Sequence, residues 1–455
     1  MTNRPNIVFF FVDQQRWDTC GCYGQPLDVT PNLDKMASEG ILFKDAFTCQ
    51  PVCGPARACL QTGKYATEVG CHTNHTLLPL NEETIAKILN RNGYETGYIG
   101  KWHLASCGKI DGPDDFRIKP IPEERRGGYK DYWLASDVLE FTSHGYDGHM
   151  FDSEGNKKYF PEGRFRADAQ TDWVLDYLDT RSLDKPFFLV SSYIEPHHQN
   201  DNDCYEGPNG SQEKYADYVA PKDLIPGKGD WEANYPDYLG CINSLDMNLG
   251  RIRAKLEEMG IADNTVIIYT SDHGSHFRVR EGEYKRNCHD ACIKVPMVIY
   301  GAEFVGGKVV DDKLVNLIDL PRTIMDIAQI PLKEYDYMRG RTLKDALNPD
   351  CEDWVKDSFL QISESKCGRA IRTASWTYSV KAEEVDGQKT KPAADIYYEE
   401  FLYDNDADPD QQNNLVNSVE HTEIRAELAE VLKKRIFEAE NCTPEILPYC
   451  ELLNV

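Results

Sequence analysis

The sequence predicts an α/β protein: a central, mostly parallel sheet sandwiched by helices, with a smaller C-terminal α+β subdomain containing a short antiparallel sheet. Three observations carry that reading. Strand-length apolar runs alternate with helical patterns over the first 350 residues, an order that builds parallel sheets covered by helices. The runs NIVFFFV, FFLVSSYI and TVIIYTS are apolar at successive positions, which marks strands buried on both faces. Beyond residue 350 the runs become shorter and more polar, as in an antiparallel setting.

The elements follow in order. A strand is expected over 6–12. Thr30 suits an N-cap and Pro31 a first helical position, so a helix opens there and closes near Gly40. A second helix runs from Glu82 towards Asn92, with Gly93 after it. Strands at 96–100 and 187–194 flank a helix over 168–180. A long amphipathic helix over 238–259 precedes buried strands at 265–271 and 295–301 and a helix at 319–328. In the C-terminal part, 370–380 and 396–403 read as short strands and 422–438 as a closing helix. A chain of 455 residues exceeds one ordinary core, so the expected division is 1–350 and 351–455. Residues 108–165 are polar, aromatic and rich in Gly and Pro, the texture of a functional or mobile insertion.

Composition narrows the function. A net charge of −26 argues against nucleic acid and anionic membranes as partners, so a small anionic substrate needs local positive charge. No apolar run reaches the length of a membrane span, and MTNRP before the first strand lacks the apolar stretch of a leader. The expectation is a cytoplasmic protein whose fifteen cysteines are mostly reduced. No CxxC pair points to structural zinc.

Three stretches carry chemistry in their residues alone. In FFFVDQQRWD, Asp13 and Gln14 sit where a strand meets its loop and offer oxygen ligands to a hard cation, although Asp13 also suits a simple turn. TVIIYTSDHG repeats the arrangement with Asp272 and His273. Two such strand ends make a cation site, with Ca2+ or Mg2+ expected from the oxygen donors and room left for Mn2+ by the histidine. In PVCGPARACLQTG, Pro55 suits the first turn of a helix that puts Cys53 at its N-terminus, where N–H groups and the dipole favour an anion. Arg57 adds a positive charge one turn in. Cys49, Cys59 and Cys71 read as packed thiols.

Cys53-Gly-Pro-Ala-Arg57, followed by Leu60 and Thr62-Gly63, resembles the signature of the type I, formylglycine-dependent sulfatases of the alkaline phosphatase superfamily. The resemblance implies an alkaline-phosphatase-like fold. It also implies a Cys53 oxidised to formylglycine by a formylglycine-generating or anaerobic sulfatase-maturing enzyme, whose hydrated aldehyde serves as nucleophile and metal ligand. Asp13 resembles the family's first metal aspartate, with Gln14 in place of the commoner second one. Asp272-His273 matches the second metal pair, where other members have Asp-Asn. GYIGKWHL resembles the element supplying a sulfate-binding lysine, Lys101, and a histidine beside the formylglycine, His103; the two share one site only if the chain turns after the strand. Pro196-His197 resembles the element whose histidine lies near the leaving oxygen, with His198 an adjacent competitor. Lys285 stands where the family carries its second sulfate-binding lysine. SHFRVREG departs from the usual glycine-rich loop, which makes His276, Arg278 and Arg280 candidate substrate contacts. FLYDNDADPDQQNNL (401–415) resembles a C-terminal family element, with Asn405 and Gln411 as departures.

The aromatics of 108–165 suit stacking on sugar rings and His144 or His149 suits hydrogen bonds to hydroxyls, although packing within the insertion accounts for them equally. The expected substrate is a small, imported sulfated saccharide. Two alternatives stand beside this. Phosphonate monoester hydrolases share the C-G-P-A-R core with DQ and DH metal pairs, but not the G-K-W-H element as such. A non-catalytic binder of sulfated ligands is expected if Cys53 stays a thiol.

Overall fold

The computed structural model describes residues 4–107, 112–113, 115–182, 184–349, 351, 353–383 and 391–449. Their larger sheet has eleven strands. At its centre Thr265–Ser271, Asn6–Val12, Phe187–Ser192, Glu95–Lys101 and Tyr132–Ser136 lie side by side and parallel. Alternate side chains of the first strand explain its unbroken apolar run. Ile7, Phe9 and Phe11 pack with Ala58, Leu60, Ile88 and Ile324 on one face. Val8, Phe10 and Val12 pack with Leu33, Val174, Leu245 and Leu249 on the other. Helices therefore cover both faces, and every strand position must be apolar.

Three differences from the sequence reading have physical causes. Met297–Tyr300 is buried as expected but runs antiparallel to both its neighbours, because an interior position, not direction, is what demands apolar residues on both faces. Tyr132–Ser136, inside the expected insertion, is a fifth parallel strand, while Asp147–Asp152 and Lys157–Tyr159 extend that edge as a hairpin. Residues 108–111 and 114 of the insertion lie outside the described residues. The long helix spans Trp231–Glu258 and includes Pro236. Burial of Trp231, Tyr235 and Tyr238 against Phe277 outweighs the one backbone bond that proline removes.

The second sheet orders Asp357–Ile362, Gly368–Thr373, Trp376–Lys381 and Ile396–Asp404 antiparallel, with Glu445–Leu447 parallel at the edge. Leu428, Leu432 and Ile436 of the helix Thr422–Glu440 close its core. Its first turn reaches back to the larger sheet: Gln50 Nε2 donates to Ser363 Oγ at 2.7 Å, and Arg286 pairs with Glu364 at 2.6 Å. Among the described residues, fourteen cysteines are free thiols and no helix is long and apolar enough to cross a membrane.

Candidate active site

Register places the site. Val12 lies beside Ser271 in the parallel pair, so Asp13 and Asp272 leave the carboxyl edge together. Asp272 N–H donates to the Val12 carbonyl at 3.2 Å, and Asp272 Oδ1 accepts from Gln14 N–H at 3.0 Å and His273 N–H at 2.9 Å. The strands on the other side of the first deliver His197, just beyond Phe187–Ser192, and Lys101, the last residue of Glu95–Lys101. Gly100 is obligatory there: its φ is +117° and a Cβ would lie 1.9 Å from the Ser192 carbonyl oxygen. Four strand ends thus meet at the carboxyl edge, where ligands of open α/β sheets gather.

Cys53 opens the helix Cys53–Thr62, as expected. Gly54 lets that helix approach closely, since a Cβ would sit 3.0 Å from Asn74 Oδ1, the acceptor of Gly54 N–H. The chain does turn after Lys101. His103 has φ +59°, and the turn is pinned by Asp137, whose carboxylate accepts from Leu104 N–H, Ala105 N–H and Ser106 Oγ–H.

The side chains converge. Cys53 Sγ lies 3.4 Å from Asp13 Oδ1, 3.1 Å from His273 Nε2 and 2.8 Å from Lys285 Nζ. Lys285 Nζ also lies 3.4 Å from His197 Nε2 and 3.3 Å from His273 Nε2. Lys101 Nζ bridges Asp13 Oδ2 at 2.9 Å and Glu140 Oε2 at 3.1 Å. Arg57 donates to Asp13 Oδ2 at 3.0 Å, Ser192 Oγ at 2.7 Å and the Lys101 carbonyl at 2.8 Å, so its fork holds Asp13 and the Lys101 backbone in place. His103 is buried with both ring nitrogens free of hydrogen bonds, within electrostatic reach of Lys101 and Arg57.

Burial sets the electrostatics. It would raise the Asp13 carboxyl, but Lys101, His197 and Arg57 hold it well below the usual carboxylate range. Asp272 is pushed up to about 7, by burial first and then by Asp13 beside it. The same two causes push the Cys53 thiol up to about 12 against the pull of Lys285 and Lys101. Burial lowers His103, His197 and His273 well below the ordinary imidazole value. Lys101 and Lys285 stay cationic: burial opposes their charge, and Asp13 with Glu140, or Cys53 with Tyr284, outweighs it.

The donor set fits a metal. Ligand atoms of Asp13, Cys53, Asp272 and His273 all lie within 4.8 Å of one another, and all four residues are buried. His273 Nδ1–H donates to the Gly274 carbonyl at 2.9 Å, which leaves the lone pair on Nε2, 3.7 Å from Asp13 Oδ1 and 3.6 Å from Asp272 Oδ1. Gln14 donates its amide N–H groups to Tyr205 Oη at 2.6 Å and Ser275 Oγ at 3.2 Å, which leaves Oε1 as its acceptor end.

Other predicted residues lie elsewhere or serve the scaffold. Arg280 donates to the carbonyls of Asp410 and Gln411, and Arg278 pairs with Asp203 and Asp230. His276 is fully buried, with Arg280, Asp223 and Arg16 as its charged neighbours. His198 packs against Tyr205 and Tyr284, and its backbone N–H donates to Gln14 Oε1 at 3.4 Å. His144 and His149 line a cavity on the far side of Glu140. Sequence reasoning missed Glu140, Asp137 and Ser192, which act only through partners distant in the chain. Asn74 is equally silent, a polar residue in a loop.

The chain matches the family model for sulfatases over residues 5–330, and the model for the N-sulphoglucosamine sulphohydrolase C-terminal region over 282–438. It is 30% identical to an ulvan-active sulfatase of Formosa agariphila, over 96% of this chain and 81% of that protein. It is 25% identical to an N-acetylglucosamine-6-O-sulfatase of Bacteroides thetaiotaomicron, over 95% and 86%. The solved structure of the yidJ sulfatase of Bacteroides fragilis superposes with a TM-score of 0.81 at 25% identity, over 97% of both chains. A phosphonate monoester hydrolase of Agrobacterium radiobacter shares the fold at 0.67 and 20% identity, over 96% of both chains. With the family model covering most of its length and the nucleophile helix, strand-end carboxylates and paired lysines assembled at one sheet edge, the chain belongs to the sulfatase family of the alkaline phosphatase superfamily and is a sulfuric ester hydrolase.

Proposed function

We propose that the chain releases sulfate from a small sulfated saccharide, with position 53 converted to formylglycine and Asp13, Gln14, position 53, Asp272 and His273 holding Ca2+, or Mg2+ or Mn2+ in its place. The convergence of Lys101, Lys285 and His197 around Cys53 is the observation that carries this reading. Sulfated sugars come from the names of the relatives, an ulvan-active sulfatase and an N-acetylglucosamine-6-O-sulfatase. Free thiols suit a reducing, cytoplasmic setting that receives imported fragments, with a maturing enzyme as the chain's partner and neither nucleic acid nor membrane involved. In this reading residues 1–350 form the catalytic domain and 351–455 the subdomain behind it.

Sγ of Cys53 marks where a hydroxyl of the hydrated aldehyde would sit. The bound cation would lower the pKa of that hydroxyl and neutralise charge, and the second hydroxyl of the hydrate permits sulfate to be expelled afterwards. The chain's own groups do the rest. Lys101 and Lys285 face the sulfuryl oxygens as fixed cations in a water-poor pocket, the arrangement with the largest electrostatic effect on a transition state. Lys285 can only donate, so His197 Nε2 accepts from it and Nδ1 carries the ring proton; Nδ1 is buried and has no partner. That proton goes to the leaving oxygen while Lys285 passes one of its own to Nε2, so His197 stays neutral and Lys285 ends this step as an amine that water reprotonates once the alcohol has left. His103, neutral and free of partners, takes the proton from the second hydroxyl.

Mass analysis of the peptide carrying position 53, from the native host, is expected to show the aldehyde. An unmodified thiol there would favour the non-catalytic binder. The phosphonate reading keeps one supporting fact, the shared fold; the Lys101–His103 element stands against it. Faster turnover of an aryl phosphonate monoester than of an aryl sulfate would reverse that choice.

A further inference from the structure

Beside the reaction centre lies a cavity of about 310 Å³ whose wall includes Glu140, Phe141, His144, Asp147, Asn200 and Asp201. Two chains of contact connect it to Cys53. Glu140 Oε2 touches Lys101 Nζ at 3.1 Å, and Lys101 touches Asp13. Asn200 Oδ1 accepts from Tyr284 Oη–H at 3.0 Å, and the next residue, Lys285, reaches Sγ. The cavity therefore lies one contact beyond the residues that flank Cys53.

Its lining has two properties. Phe141 is 55% exposed, an aromatic ring left at the cavity wall beside hydrogen-bonding side chains. An apolar ring flanked by carboxylate acceptors suits a sugar, whose C–H face stacks while its hydroxyls donate. The second property is charge. Asp147 and Asp201 flank His144 at 3.4 and 2.9 Å, and Glu206 also acts on that imidazole. Among the described residues no lysine or arginine lines the cavity. A cationic site thus lies next to an acidic cavity.

We propose that this cavity holds the ring bearing the scissile sulfate by its hydroxyls, with Phe141 as the stacking platform, and that Asp147 and Asp201 reject a second sulfate or a uronate on that substrate. The proposal rests on the sulfatase reading above and narrows its substrate to a singly charged, otherwise neutral saccharide. One additional anion roughly 6 Å from a carboxylate, at an effective dielectric of ~40, is disfavoured about tenfold.

The test measures kcat/KM for sulfate release by the full chain with position 53 converted. The substrates are monosaccharides with one sulfate ester and the same sugars with a second sulfate or a carboxylate. The singly charged members are expected to be favoured by about tenfold or more. Asp147→Asn with Asp201→Asn should cut that ratio to about threefold or less; both side chains are more than half exposed, at 77% and 57%, so the double variant keeps its fold. Phe141→Ala should raise KM more than it lowers kcat. Equal turnover of both classes, or a ratio untouched by the double variant, overturns the proposal while leaving the sulfatase reading intact. Release of sulfate from no member of the panel overturns both.

Discussion

Lys101 is the residue whose loss the structure predicts most fully. Its side chain is wholly buried between two carboxylates, Asp13 at 2.9 Å and Glu140 at 3.1 Å. At an effective dielectric of ~20 those separations correspond to attractions of about 6 and 5 kcal/mol, most of which offset the cost of taking the charges out of water. Lys101→Met leaves Glu140 buried without its cation and Asp13 with Arg57 alone, a change that costs about 3–5 kcal/mol when one partner of a buried pair is removed. Urea unfolding is expected to show that loss. Adding Glu140→Gln should restore roughly 1–3 kcal/mol, because it removes the stranded charge. Activity should behave differently. Loss of a cation aimed at the sulfuryl oxygens costs on the order of 10²–10³ in kcat, and Glu140→Gln supplies no cation, so the double variant stays slow. If the double variant regains turnover, Lys101 serves only to neutralise Glu140. If it regains no stability, the ion pair read from the structure is not what holds these residues.

Two further outcomes follow from packing and titration. Gly100→Ala should abolish soluble protein or cost more than about 4 kcal/mol, since the new Cβ would lie 1.9 Å from the Ser192 carbonyl; expression and thermal melting report it. Asp246 accepts from the N–H groups of Asn32 and Leu33, and burial pushes its carboxyl up to about 6 from 3.8. Because the folded chain holds that proton more tightly than the unfolded one, its contribution is full below the unfolded value and is lost as pH climbs to about 6. The loss is about 3 kcal/mol, so Asp246→Asn should flatten the urea-stability profile between pH 4 and 6 by roughly that amount. An unchanged profile would contradict the assignment.

The parallel core was legible because burial on both faces leaves an unbroken apolar run, and Asp13 and Asp272 were legible because each ends such a run. What escaped depends on pairing across the chain. Ile41–Phe47 is interrupted at its middle by Lys44 and Asp45, and Lys308–Asn316 is half exposed, so neither shows the apolar run of the central strands. Tyr132–Ser136 is a short strand set in polar sequence, recognisable only once Glu95–Lys101 is there to pair with it. Arg280 stood as a candidate substrate contact because SHFRVREG departs from the family's glycine-rich loop. Instead it clamps the backbone at 410–411, and the departure at Gln411 makes sense in the same place: its side chain accepts from Asp290 N–H at 2.7 Å and donates to Thr377 Oγ1 at 2.9 Å, fastening the C-terminal sheet behind the site. Glu140 is the clearest omission, since nothing about an acidic residue in an irregular segment announces a partner at position 101.

Charge balance at the centre supplies the last prediction. Arg57, Lys101 and Lys285 bring three positive charges, and Asp13, Asp272 and Glu140 three negative ones, so the buried groups alone are close to neutral. A neutral cluster inside a protein of net charge −26 has little to offer an incoming anion. A divalent cation on the Asp13–Asp272–His273 donor set changes the balance to about +2, and it also removes the reason for Asp272 to hold a proton near pH 7. Sulfate affinity should therefore depend on the metal rather than on the lysines alone. Titration calorimetry of inorganic sulfate into the full chain is expected to show binding at least about tenfold weaker after chelation and restored by Ca2+, with the chelated protein also melting earlier. Equal sulfate affinity with and without the cation would mean that Lys101 and Lys285 hold the anion unaided, and the site's charge balance would have to be drawn without a metal.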